Sequence, residues 1–262
     1  MTNMTLMSIF VFLFGAIVGS FLNVCIYRLP RDESIVFPAS HCPECGTKIR
    51  AFDNIPVISY LLLRGRCRSC GTRISWQYPV VEMLSALLTL FLFLKFHFSP
   101  TFFVLYLFCM ALVVITFIDL EHQIIPDIIS LPGIVVGFAV SFFLPWLGWQ
   151  NSLIGIIAGG GSLLLVAYGY QLLTKKEGMG GGDIKLLAMM GAFLGWKSIP
   201  FIIFTSSLFG SVVGLTLMAV RKKDSQLPIP FGPFLAFGAI LFIFYGRQLI
   251  QWYFSFGGTV GG

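Results

Sequence analysis

Charged residues are scarce in this sequence. Of its 262 residues only 11% are charged, whereas 57% are hydrophobic. Soluble domains carry about 25% charged residues, so this chain cannot cover a globular surface with charge. A long basic run and nucleic-acid-binding motifs are also missing, which argues against nucleic acid as a partner despite the net charge of +6. We therefore predict an all-α protein that passes through a lipid bilayer several times.

The first apolar run has no Lys or Arg before it. It covers residues 6–27, and the basic residues Arg28 and Arg31 follow it. Cleavable signal peptides carry their positive charge in front of the apolar region. This arrangement predicts a retained first membrane helix with its amino terminus outside the cell.

Apolar residues form eight segments, which predict about eight transmembrane helices. Most segments reach the ~20 residues that cross about 30 Å of hydrocarbon. The sixth is short, and it is open whether it is a half-span, a re-entrant piece, or a helix that continues through Trp196. The segments cover residues 5–27, 79–96, 101–119, 128–149, 152–173, 184–196, 198–220 and 231–254.

Lys and Arg are unevenly distributed between the connections. With eight spans, 14 of the 17 fall on one side, and only Lys95, Lys197 and Arg247 fall on the other. The positive-inside rule makes the basic side cytoplasmic, so both termini are expected outside. The 14 residues are Arg28, Arg31, Lys48, Arg50, Arg64, Arg66, Arg68, Arg73, Lys175, Lys176, Lys185, Arg221, Lys222 and Lys223.

The predicted organisation has three parts. Residues 1–27 form the first transmembrane helix, 28–78 a cytoplasmic loop domain, and 79–262 the remaining membrane core. In the first helix, Gly15 and Gly19 have the spacing of a close helix–helix contact, with Ser20 and Asn23 as polar support. The run of three glycines at 159–161 predicts another close crossing.

The loop domain contains an internal repeat. The sequence Cys-x-x-Cys-Gly-Thr-basic-Ile occurs twice, 25 residues apart, and supplies Cys42, Cys45, Cys67 and Cys70. Four thiolates in two such knuckles predict a tetrahedral, structural Zn²⁺ site of the ribbon type. A redox dithiol pair and structural disulfides are the alternatives; a reducing cytoplasm disfavours disulfides.

Two aspartates are expected at the same membrane depth. Asp119 ends the third apolar segment, and Asp183 lies between a glycine loop and the sixth. Asp183 could instead be the N-cap of the following helix. If it is, its charged form is favoured and Asp119 becomes the proton carrier; the sequence does not decide this.

Other polar residues near the membrane have open roles. Glu82 lies about one turn inside the second span, where it could be functional, reach the interface, or pair with a loop arginine. Asp127 follows Pro126 and is read as an N-cap. Glu121 and His122 fall in a turn, where solvation is favoured over metal binding.

A close pair of carboxylates can perform hydrolysis. One group holds a proton while the other is charged, so together they deprotonate a water and protonate the leaving nitrogen of an amide. No Ser-His or Cys-His arrangement accompanies them. Gly180 and Gly182 leave room for an extended substrate backbone beside Asp183. We therefore predict an aspartic endopeptidase, with Gly180, Gly182 and Glu82 as candidate substrate-binding residues.

The chain closely resembles the type IV prepilin peptidases. The matching stretches cover nearly the whole chain in order: GSFLNVCIYRLP (19–30), the two Cys-x-x-Cys pairs, QYPVVE (77–82), IDLEHQIIPD (118–127), GMGGGDIKLLAMMGAFLGW (178–196) and PFGPFLA (230–236). Asp119 and Asp183 match the two catalytic aspartates of this family, and the four cysteines match those of its bifunctional members.

The resemblance implies a substrate and a second activity. Such enzymes cut the basic leader from type IV prepilins and type II secretion pseudopilins at the cytoplasmic face of the inner membrane. Bifunctional members then N-methylate the new amino terminus with S-adenosylmethionine. No residue here is identified as binding that cofactor, and the oligomeric state is not predicted.

Two other classes compete with this prediction. A transporter or channel would need a polar path across the bilayer, which the fourth and fifth spans do not offer. The cysteine loop could also be an interaction module that binds pilin-assembly proteins without taking part in catalysis.

Overall fold

The computed structural model describes residues 2–175, 180–221 and 230–257. Of the residues discussed above, Lys176, Gly178, Lys222 and Lys223 lie outside these ranges. The described chain forms nine α-helices, of which eight correspond to the predicted apolar segments. They are α1 (Thr2–Arg28), α2 (Ile58–Leu62), α3 (Gln77–Phe96), α4 (Pro100–His122), α5 (Asp127–Ser141), α6 (Trp149–Thr174), α7 (Gly181–Leu194), α8 (Ser198–Arg221) and α9 (Gly232–Gly257).

Five of the described helices, α1, α3, α4, α6 and α8, are long and apolar enough to cross a membrane. Helix α5 and the first part of α9 are apolar but shorter, and α7 has only 14 residues. The prediction of an all-α protein with several membrane-spanning helices is confirmed.

The fourth segment is shorter than expected. It was predicted to be helical over 128–149, but α5 ends at Ser141 and turns follow. Pro145 disfavours helical backbone at the residue before it, and Gly148 has a φ of 70°. These two residues separate α5 from α6, and hydropathy alone does not register such a break.

The chain packs as two compact units, residues 1–118 and 119–262. The sequence predicted boundaries after residues 27 and 78, which separate the first helix, the loop domain and the membrane core. The packing units do not test these boundaries, and they stay predictions. The two units are described separately below.

In the first unit, α1 packs closely against α3. A Cβ at Gly19 would lie 2.7 Å from the Cα of Glu82, and Gly15 makes a similarly close approach one turn earlier. The Asn23 side chain donates a hydrogen bond to the carbonyl of Tyr78 at 3.1 Å. The predicted close contact of small residues, supported by a polar side chain, is confirmed.

Helix α7 lies at the centre of the second unit. Its nine consecutive residues from Leu186 to Leu194 are all buried, because α5, α6, α8 and α9 pack around it. A helix that is apolar on every side lies in a protein core or in a membrane. The short sixth segment is therefore a buried core helix, and it ends before Trp196 where Gly195 adopts a φ of 78°.

Glycines let α6 approach α7. A Cβ at Gly159 would lie 2.9 Å from the carbonyl carbon of Leu187, and Gly155 and Gly191 face each other backbone to backbone. The close crossing predicted from the three-glycine run is confirmed at Gly159, whereas Gly161 borders open space.

Candidate active site and metal centre

The two cysteine knuckles have the same backbone structure. In each, the N–H of the first cysteine donates to the carbonyl of the threonine five residues later, at 3.0 and 2.8 Å. The glycine after the second cysteine donates back to the first cysteine, at 2.9 and 3.0 Å. These glycines, Gly46 and Gly71, have φ values of 67° and 73°, which other residues rarely adopt. The sequence repeat is thus a structural repeat.

The knuckles bring their four sulfurs together. The Sγ atoms of Cys42, Cys45, Cys67 and Cys70 all lie within 4.8 Å of one another, and those of Cys42 and Cys70 are 3.8 Å apart. A tetrahedron with metal–sulfur bonds of about 2.3 Å has sulfur–sulfur edges of about 3.8 Å. All four are free thiols. Among the described residues, this is the one group of three or more His, Cys, Asp or Glu residues that could hold a metal ion.

The threonines of the repeat favour the thiolate form of two of the cysteines. The hydroxyl oxygens of Thr47 and Thr72 lie 3.3 Å from the Sγ atoms of Cys45 and Cys70. The hydrogen bond to Thr47 lowers the pKa of Cys45, and that to Thr72, together with the backbone of Thr72 and the neighbouring thiols, lowers the pKa of Cys70 to about 6. Because the thiolate is the form that binds metal, the shared Gly-Thr tail contributes to the site.

Asp119 is held by the start of α9. It lies in the last turn of α4 and is buried. Its Oδ2 accepts a hydrogen bond from the N–H of Gly232, the first residue of α9, at 2.9 Å. A Cβ at residue 232 would lie 2.6 Å from that oxygen, so only glycine permits this contact. A helix N-terminus with its N–H directed at a carboxylate stabilises the negative charge.

Asp183 lies in the first turn of α7. The N-cap position is taken by Gly180, and no side chain caps the helix, so the interpretation of Asp183 as an N-cap is wrong. Its half-buried carboxylate interacts electrostatically with that of Asp119. Two carboxylates 64 residues apart in sequence are thus close enough to influence each other's charge, and their shared role in catalysis stays a prediction. The assignment of the proton to Asp119 rested on Asp183 as an N-cap, and that premise is lost. Among the described residues, it is Asp119 whose carboxylate accepts a backbone N–H.

The two candidate glycines have different surroundings. A Cβ at Gly182 would lie 2.9 Å from the Cβ of Ile125, in the segment between α4 and α5, whereas Gly180 borders open space. Gly182 therefore permits α7 to pack close to that segment. Binding of substrate at these glycines stays a prediction.

Asp127 pairs with Lys185. The Lys185 Nζ donates to both carboxylate oxygens of Asp127 at 2.8 Å. Pro126 occupies the N-cap position of α5 and no side chain caps it, so the interpretation of Asp127 as an N-cap is wrong. The pair joins the first residue of α5 to the fifth residue of α7, two residues after Asp183. The sequence carried no signal for it.

Glu82 and His122 have other partners, and substrate binding by Glu82 stays a prediction. Glu82 is buried in the first unit, and its Oε2 accepts the N–H of Val57 at 2.7 Å. One expectation was that Glu82 pairs with an arginine of the loop. Its partner in the loop is instead the backbone amide of Val57. Glu121 and His122 are the last two residues of α4, so their placement in a turn is wrong. Both are exposed, with the His122 Nε2 3.8 Å from the Glu121 Oε2, which agrees with the solvated role.

Two protein-family models match this chain. Residues 13–96 match the bacterial peptidase A24 N-terminal domain, and residues 106–215 match the type IV leader peptidase family. No solved structure matches the chain.

Several relatives carry the name prepilin leader peptidase/N-methyltransferase. The protein from Pseudomonas aeruginosa is 37% identical over 94% of this chain and 93% of its own length. The one from Aeromonas hydrophila is 38% identical with the same coverage. That of Dichelobacter nodosus is 38% identical over 92% of this chain and 93% of its own. With such identity along almost the whole chain, this protein belongs to the type IV leader peptidase family.

Proposed function

We propose that this protein is a bifunctional membrane enzyme. It removes the basic leader peptide from type IV prepilins and type II secretion pseudopilins, and it methylates the new amino terminus. The observation that carries the peptidase is the meeting of Asp119 and Asp183, which interact within one packing unit. The names of the relatives support both activities.

The two aspartates divide the work of hydrolysis. We assign Asp119 as the base, because the Gly232 N–H and the start of α9 stabilise its carboxylate. Asp119 takes a proton from a water, whose oxygen bonds to the carbonyl carbon of the scissile peptide. Asp183 gives its proton to the amide nitrogen, and the C–N bond breaks. The products are the leader carboxylate and a pilin with a free amine.

The four cysteines hold a structural Zn²⁺ in this proposal. The sulfur spacing fits a tetrahedral ion, and four thiolates leave no coordination position for water. Zinc would crosslink the two knuckles and stabilise the loop.

No residue is assigned to the methyl donor. S-adenosylmethionine is the cofactor expected from the family resemblance and the N-methyltransferase names. The described residues are helices and knuckles without a strand–turn–helix unit of the dinucleotide-binding type. The second activity therefore rests on the relatives.

The proposed topology follows from charge. The basic loop of the first unit, the connection after α6 that contains Lys175, and the start of α7 with Lys185 face the cytoplasm of the inner membrane, with both termini outside. Asp119 and Asp183 then act at the cytoplasmic face, where the basic leader of a prepilin lies.

Mass spectrometry of a prepilin tests both activities at once. Membranes containing the full chain are incubated with a prepilin and S-adenosylmethionine. We expect loss of the leader mass, followed by gain of one methyl group. Asp119→Asn and Asp183→Asn should each reduce cleavage at least about a thousandfold. Glu121→Gln, an exposed acid on the same helix as Asp119, should cleave normally.

Two results would overturn the proposal. Cleavage retained in either aspartate variant would contradict the two-aspartate mechanism. Flux of ions or protons through proteoliposomes that depends on Asp183, without peptide cleavage, would replace the peptidase with a transporter. Cleavage without methylation would leave a peptidase of one activity.

A further inference from the structure

The short helix α2 exposes its apolar side chains. It lies in the loop between the two knuckles, where Ile58, Leu61 and Leu62 are 53%, 65% and 78% exposed. Nearby, Trp76 is 73% exposed and its ring lies 5.4 Å from that of Tyr60. Clustered large apolar side chains outside the membrane-spanning helices are unusual on a surface that meets only water, and they indicate an interaction surface.

The start of α2 is fixed to a membrane helix. Val57 adopts φ 60° and ψ −47°, and the N–H of Ile58 donates to the carbonyl of Pro56 at 2.6 Å. This is a γ-turn that is strained for a β-branched residue. Such strain persists only where surrounding contacts impose it. Here the buried carboxylate of Glu82 accepts the N–H of Val57 at 2.7 Å.

This contact sets the depth of α2. Glu82 is the sixth residue of α3, about 7.5 Å along its axis from Gln77. Trp76 and Tyr78, at the start of α3, are the residue types that mark a membrane–water interface. Because Val57 lies beside Glu82, α2 begins at the level where α3 enters the bilayer. Its exposed leucines are therefore at the boundary between lipid headgroups and acyl chains.

The charge around α2 identifies what covers it. The exposed residues Arg64, Arg66 and Arg73 follow the helix, and eight of the 12 charged residues over 28–78 are basic. A basic leader peptide is repelled by such a surface, whereas an anionic lipid leaflet is attracted to it. Apolar residues flanked by arginines are typical of an interfacial anchor.

We propose that α2 is a membrane-surface anchor: Ile58, Leu61 and Leu62 insert among the lipids of the anionic leaflet, and the neighbouring arginines contact the headgroups. The anchor holds the cysteine loop against the membrane, and Glu82 supports it through Val57. This inference does not depend on the proposed catalytic chemistry.

A photocrosslinking experiment tests the anchor. The full chain carries p-benzoylphenylalanine in place of Leu62 and is reconstituted in nanodiscs, with equal parts phosphatidylglycerol and phosphatidylcholine or with phosphatidylcholine alone. We expect lipid adducts at position 62 by intact mass spectrometry. Their yield should fall about fivefold without phosphatidylglycerol, the change expected for one basic residue at an anionic surface. The matched probe replaces Glu44, exposed in the first knuckle, and should give few adducts.

Several results would contradict the membrane-surface anchor. Crosslinks from position 62 to another part of this chain would make α2 an internal contact. Lipid adducts no more frequent than at position 44, or independent of phosphatidylglycerol, would also overturn the proposal. Hydrogen exchange of the unaltered chain gives a second measurement: amides of residues 58–63 should exchange more slowly in the anionic nanodiscs, and equal rates would contradict the anchor.

Discussion

The four-cysteine site and the aspartate site are built in opposite ways. The sulfurs come from residues 42 to 70, and each knuckle is closed by hydrogen bonds between residues four or five positions apart. The aspartate site joins Asp119, Asp183 and Gly232 from three helices, and the first and the last are 113 positions apart in sequence. The first site is therefore encoded locally, whereas the second exists only when the helices have packed.

The two sites also differ in how deeply their surroundings are buried. Between residues 29 and 76 only Cys42, Ser59 and Gly65 are buried. Helix α7, which carries Asp183, has nine consecutive buried residues. A loop with so little core needs a crosslink for its stability, whereas the aspartates are supported by the packing of the unit around them. Four predictions test this contrast.

Removal of metal should affect the loop far more than the aspartates. Structural zinc supplies about 10 kcal/mol or more of folding free energy in small domains. A chelator, or Cys42→Ser with Cys67→Ser, should therefore unfold residues 39–75. The measurement is hydrogen exchange and thiol labelling of the full chain, with Cys25→Ser as the control outside the knuckles. Leader cleavage should continue, and cleavage lost in step with the metal would contradict the separation of the two sites.

Gly232→Ala should damage catalysis without removing either aspartate. The new Cβ would lie 2.6 Å from the Oδ2 of Asp119 and displace the carboxylate. Displacement of a reacting group by about 1 Å costs on the order of a hundredfold. We expect kcat for leader cleavage to fall by that factor with KM nearly unchanged.

The control for this variant is Gly238→Ala on the same helix, where the Cβ meets Thr205 and not Asp119. If both variants lose activity equally, packing of α9 and not the position of Asp119 explains the loss. Asp119→Asn in parallel separates this outcome from failure of the proposed mechanism itself.

Glu82 should support the loop through one hydrogen bond. Glu82→Ala leaves the Val57 N–H without its acceptor, at a cost of about 1–3 kcal/mol. Hydrogen exchange over residues 55–63 should then accelerate. Glu82→Gln keeps an oxygen that can accept this bond and should behave nearly as the wild type. Equal exchange in the Ala and Gln variants would show that the carboxylate does not hold the turn.

The Lys185–Asp127 pair should matter least. Both side chains are partly exposed, and such pairs contribute about 0–1 kcal/mol. Lys185→Gln should leave thermal stability and leader cleavage within a few-fold of the wild type at moderate salt. A loss of cleavage comparable to that of Gly232→Ala would mean that the pair positions Asp183. The aspartates would then depend on an exposed ion pair as well as on buried packing.

The sequence by itself determined the parts of this protein that depend on short-range pattern. Hydropathy placed eight helices, and the spacing of Gly15 and Gly19 predicted a close helix contact. The duplicated Cys-x-x-Cys-Gly-Thr predicted that the four cysteines meet, because each knuckle is closed by hydrogen bonds between its own near neighbours. The resemblance to the type IV prepilin peptidases and the matching membrane depth predicted that Asp119 and Asp183 are the catalytic pair.

Only the tertiary structure decided the contacts between residues that are far apart in sequence. Nothing near Gly232 indicated that its N–H holds Asp119, and nothing near Asp127 indicated Lys185. The predicted caps at Asp127 and Asp183 failed because Pro126 and Gly180 occupy those positions. The physical reason is that a local propensity competes with packing. Once α7 is buried among four helices, the contacts of its first turn are set by the segments that surround it.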